Sequence, residues 1–160
     1  MVEIPDSHPR KISLLSRQKI VEGSLRGLLA ESAMIAHGRG EAFDYLLGER
    51  TTESAGSAIR EAAARLMAAN HPVISVNGNT VLLAGKRALR LAAVLGCAVE
   101  VNLYYRSPER VNGLLALLEE QRTLVSNGDE PQGFEGDWRK SVMGVTLLGG
   151  SPNFRIAGLE

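Results

Sequence analysis

The chain has 160 residues, enough for one domain, and 44% of them are apolar, enough for a packed core and too many for a disordered chain. Its 18 basic residues balance 18 acidic ones, which excludes the basic excess of a general nucleic-acid binder. No apolar run has the length of a membrane span and the first residues lack a signal peptide's basic start and apolar core, so the reading is a cytoplasmic chain with no membrane partner.

Ser7 and Pro9 suit the start of a first helix, as cap and first-turn residue. Over residues 12–29, Leu14, Val21, Leu25 and Leu28 recur at helical spacing, with Arg17, Lys19, Glu22 and Arg26 largely elsewhere on the wheel. Gly23 and Gly27 weaken that helix but permit close packing on a neighbour or another subunit. By position alone, Arg17 is a solvated helix arginine.

Next comes Ala36-His37-Gly38-Arg39-Gly40-Glu41. Two glycines around an arginine read as a tight loop that folds about an anion, with the guanidinium as a forked donor. Residues 41–47 read as a short helix with Phe43, Leu46 and Leu47 inward, and its free N–H groups would face the loop. The other reading of the same stretch is a glycine-rich turn carrying a surface arginine. A longer helix follows over 51–69, capped by Thr51, Thr52 or Ser54, with Ile59, Ala62, Ala63, Leu66 and Met67 on its inner side.

Beyond residue 70 the pattern turns to strand, helix, strand, helix, strand. Val73-Ile74-Ser75-Val76 is a β-branched strand that empties into Asn77-Gly78-Asn79 before a helix over 80–95. Open α/β sheets bind ligands at such a strand end. Asn77 and Asn79 therefore either hold a ligand or bond their own backbone as turn residues. Lys86 lacks the glycine spacing of a P-loop. The lone Cys97, in an apolar run, is read as a buried, inert thiol in a reducing compartment. Residues 98–104 form a second strand, and Ser107-Pro108-Glu109 opens a helix with Val111, Leu114, Leu115 and Leu118 inward. Asn102 and Arg106 fall near the proposed cleft. Residues 126–137 are a polar loop whose end Trp138 docks on the core, and 142–148 form a third strand. The whole is an α/β, Rossmann-like three-layer domain over 1–160: a helical part to residue 70, then a short parallel sheet with an exposed edge.

Several strings resemble the archaeal phosphopantothenate synthetases, or 4-phosphopantoate–β-alanine ligases. They are Ile4-Pro5-Asp6-Ser7-His8-Pro9-Arg10, residues 35–46 around His37-Gly38-Arg39-Gly40-Glu41, and residues 71–79 ending in Asn77-Gly78-Asn79. Val101-Asn102-Leu103-Tyr104-Tyr105-Arg106 and Arg155-Ile156-Ala157-Gly158-Leu159-Glu160 extend the likeness in the family's order. The resemblance implies a Rossmann-like homodimer that joins 4-phosphopantoate to β-alanine in coenzyme A synthesis, splitting ATP, with Mg2+, to AMP and diphosphate through an acyl-adenylate. It implies Arg17 and Arg39 as ATP contacts. His37, Gly38, Gly40, Glu41, Asn77 and Asn79 are expected on the substrate side, with Glu41 either holding magnesium through water or steering an amine. Catalytic residues stay unassigned, and no resident metal ligands are expected. Family members continue past Glu160 with a further nucleotide-contacting segment, so the resemblance implies a C-terminally incomplete chain. A catalytically silent binding module and a homodimeric interaction protein are the other readings.

Overall fold

The computed structural model describes residues 4–150. The string at 155–160 lies outside the described residues. Helices α1 (Lys11–Leu25), α2 (Ser32–Leu47) and α3 (Glu53–Ala68) come first. Then follow β1 (Val73–Val76), α4 (Gly78–Leu95), β2 (Ala98–Val101), α5 (Pro108–Ser126), α6 (Trp138–Met143) and β3 (Leu147–Leu148). The sheet is parallel in the order β1-β2-β3, with Val76 beside Val101 and Glu100 beside Leu148. Helix α4 packs on β1 and β2, α5 on β2 and β3, and α1 and α2 pack on α4. Sheet, central helices and N-terminal helices thus stack as three layers in an α/β, Rossmann-like arrangement.

The central layer carries the core. Val81, Leu89 and Ala92 of α4, Val99 and Val101 of β2, and Leu114 and Leu118 of α5 are fully enclosed. Burying each leucine contributes roughly 1.5–3 kcal/mol. Asn77 starts α4 by accepting hydrogen bonds from Thr80 N (2.9 Å) and Thr80 Oγ1 (3.0 Å). Ser107 starts α5 in the same way, accepting from Arg110 N, with Pro108 in the first turn. The fully exposed Glu109 carboxyl is held below its ordinary range by a backbone hydrogen bond at that helix start and then by Ser107. Cys97 is buried, and burial pushes its thiol up, which keeps it protonated and inert. Trp138 does dock the 126–137 loop: its Nε1 donates to Val125 O (3.2 Å), Phe134 packs edge-on, and Arg90 lies over its ring.

The first half departs from the sequence expectation. Ser7 caps nothing: α1 begins at Lys11 after Arg10, without a side-chain cap. The buried residues of α1 are Ser13, Ile20 and Gly23, while Val21 and Leu25 are exposed. A Cβ on Gly23 would stand 2.3 Å from Leu82, so this glycine lets α1 approach α4 of the same chain. Gly27 (φ 71°) ends α1: its N–H donates to Ser24 O and that of Leu28 to Gly23 O, a Schellman closure. Helix α3 buries no residue, so Ile59 and Met67 do not form an inner side. The third strand shrinks to Leu147–Leu148 because Asp137 caps α6, accepting from Lys140 N, and Val142 falls inside that helix.

Candidate functional site

Helix α2 runs unbroken from Ser32 to Leu47, so Gly38, Arg39 and Gly40 form no loop and Glu41 opens no helix. Each glycine costs about 1 kcal/mol within a helix, too little to interrupt a ladder continued by good helix formers on both sides. A Cβ on Gly38 or Gly40 would meet no atom within 4 Å. The two positions are therefore notches rather than packing contacts. Gly40 opens onto a cavity of about 650 Å³ between α1, α2, α4 and the α2–α3 turn, and Gly38 onto a groove of about 670 Å³ between α1 and α2.

Glu41 stands between the two spaces and lines both. Its side chain is only 13% exposed, and both oxygens are engaged. Arg17 Nη1 donates to Oε2 (3.0 Å) and Ser13 Oγ to Oε1 (3.1 Å). Arg10 Nη2 donates to Ser13 Oγ (3.2 Å) and lies 3.7 Å from Oε1. Arg10 also approaches Glu49 (3.9 Å) and covers the Tyr45 ring. His37 Nε2, one helical turn from Glu41, lies 3.9 Å from Oε1, too far for a hydrogen bond, and is buried without a described partner. The groove is thus basic, through Arg10 and Arg17, with an apolar wall of Leu14, Tyr45 and Leu46. The cavity carries Asp44, Glu49 and Arg50. A smaller cavity of about 190 Å³ lies where Asn77 and Gly78 follow β1, and it includes Arg110.

A profile described as phosphopantothenate/pantothenate synthetase matches residues 54–136. The 4-phosphopantoate–β-alanine ligase of Thermococcus kodakarensis is 46% identical over 160 residues, which is 100% of this chain and 54% of the relative. That of Methanospirillum hungatei is 51% identical over 125 residues, covering 78% of this chain and 51% of the relative.

The chain belongs to the phosphopantothenate/pantothenate synthetase family. It spans about half the length of the curated relatives it matches.

Of the residues expected at a site from the sequence, the structure gathers Arg17, His37, Gly38, Gly40, Glu41 and Asn79 around the cavity and groove. Asn79 also lines the smaller cavity, and its Nδ2 donates to Ala33 O (3.0 Å), tying α4 to α2. Asn77 lines the smaller cavity too, but its carboxamide oxygen serves as the α4 cap. Arg39 is exposed and is not among the residues lining these spaces; helical geometry turns it about 160° from Glu41. It shares that outer face with Phe43, 66% exposed, which the sequence placed inward; Leu46, also expected inward and 79% exposed, lies at the edge of the groove. Arg10, Ser13, Asp44 and Arg50 were missed. Arg10, Ser13 and Arg17 follow i, i+3, i+7 spacing, a polar stripe along one side of α1 and its start.

Proposed function

We propose that this family member works as an ATP-dependent ligase in coenzyme A synthesis, condensing 4-phosphopantoate with β-alanine to 4'-phosphopantothenate, AMP and diphosphate. The observation that carries the reading is 46% identity across all 160 residues with a 4-phosphopantoate–β-alanine ligase. The pantoate carboxylate attacks the α-phosphate of ATP and diphosphate leaves. The β-alanine amine then attacks the acyl carbon and AMP leaves.

The basic groove supports a phosphate chain, since Arg10 and Arg17 face it and Gly38 leaves room beside them. Magnesium enters with the nucleotide. Because Glu41 already engages Arg17 and Ser13, its role is to hold those donors rather than to hold the metal. His37, Gly40 and Asn79 serve the substrate side through the adjoining cavity, and Asn77 and the α4 start serve it from the smaller one.

Arg39, on the opposite face of α2, meets a nucleotide only in an assembly. The exposed Phe43 beside it supports a homodimer through that face; the reaction is placed in the cytoplasm.

The test is AMP formation from ATP, 4-phosphopantoate and β-alanine by the purified chain. AMP appearing only with all three supports the reading. ADP instead of AMP, or no AMP from a chain of full family length, overturns it; binding without AMP by this chain alone leaves a binding module.

A further inference from the structure

The cavity beside Gly40 holds opposite charges that do not satisfy each other. Asp44 on α2 and Arg50 on the turn after it both line the cavity, and neither side chain has a hydrogen bond or ion pair with any described residue. The turn is built to present them: Gly48 (φ 79°) and Glu49 (φ 50°) take consecutive left-handed conformations that reverse the chain between the two. One further polar atom of this cavity's lining, the buried His37 Nε2, lacks a hydrogen-bond partner among the described residues. The other carboxylates are engaged, Glu41 with Arg17 and Ser13, and Glu49 close to Arg10. A buried polar atom with no partner asks for an explanation, and an occupant is the economical one.

The geometry points to a zwitterion pocket: Asp44 receives the ammonium and Arg50 the carboxylate of a short ω-amino acid. An anion alone would leave Asp44 repelled, and an amine alone would leave Arg50 unmet. The cavity, about 650 Å³, has room for the amino acid and for the acyl group it attacks. Only the choice of β-alanine as the occupant rests on the ligase reading. That reading needs an amine held beside an activated carboxyl group, and this cavity adjoins the basic groove across Glu41.

The experiment is amide-resonance titration of the chain with β-alanine, propylamine and propionate. β-Alanine is expected to move the Asp44, Arg50 and His37 signals. Asp44→Asn should weaken β-alanine about tenfold and abolish the propylamine response while keeping that of propionate. Arg50→Gln should do the reverse, so each variant's surviving response shows that it is folded. Glu61→Gln, in an exposed ion pair of α3, should change nothing. Unmoved signals in the unaltered chain, or β-alanine affinities unchanged in both variants, overturn the pocket. Turnover is read separately, on a chain of full family length: β-alanine binding without AMP sinks the ligase reading and keeps the pocket, and AMP with unmoved signals does the opposite.

Discussion

Glu41 is the residue on which the site turns. It is enclosed, its two oxygens are shared among Arg17, Ser13 and Arg10, and it comes from α2 whereas Ser13 and Arg17 belong to α1 and Arg10 precedes it. Removing its charge leaves Arg10 and Arg17 facing each other's positive charge across a partly closed space. Arg17 is 50% exposed, so solvent screens most of its side of the pair. The two substitutions therefore differ. Glu41→Ala should cost on the order of 1–2 kcal/mol in urea unfolding, and Arg17→Ala under about 0.5 kcal/mol. In binding the order inverts. Arg17→Ala should lose nucleotide affinity severalfold, whereas Glu41→Gln, which keeps a hydrogen-bonding group beside Ser13, should lose less. Equal stability losses, measured by the urea midpoint, would show that the cluster is merely solvated surface.

At the scale of elements, α2 carries two glycines that nothing in its packing requires. Gly38→Ala and Gly40→Ala should each stabilise the fold by roughly 0.5–1 kcal/mol, because alanine is the better helix former and no atom stands in the way. The same methyls would narrow the spaces that the glycines leave open. Calorimetric melting should rise for both variants. Affinity for a triphosphate should fall for Gly38→Ala, on the groove side, and that for β-alanine for Gly40→Ala, on the cavity side. A helix that gains stability and loses ligand separates a functional glycine from an incidental one.

Over the whole molecule, apolar exposure is uneven. Leu25, Phe43, Leu46, Ile59 and Met67 all belong to the first three helices, whereas the fully enclosed leucines, Leu89, Leu114 and Leu118, belong to α4 and α5. Helix α3 buries nothing against the described remainder, and the outer face of α2 is equally uncovered. A surface of this kind is an interface in waiting. Sedimentation should show a dimer, and Phe43→Asp should shift it to monomer without loss of helicity. A monomer for the unaltered chain at high concentration would remove the homodimer.

The second half of the chain was legible in its sequence because its signals are local. Ser107 caps the helix that follows it, Val73–Val76 is a short β-branched run, and strand-helix alternation admits few topologies. Family membership was legible for the same kind of reason, since strings such as His37-Gly38-Arg39-Gly40-Glu41 are contiguous. What contiguity could not reveal was the fate of those glycines, because a propensity difference of about 1 kcal/mol is decided by the rest of the helix. Nor could it reveal that Glu41 meets Arg17 and Ser13 from 24 and 28 residues away, or that Arg39 turns from them. The sequence by itself determined the strand-helix alternation of the second half, the Ser107 cap and the family. Only the packing of α1 and α2 on α4 decided which charges share a cavity, because side chains distant along the chain meet only after the helices dock.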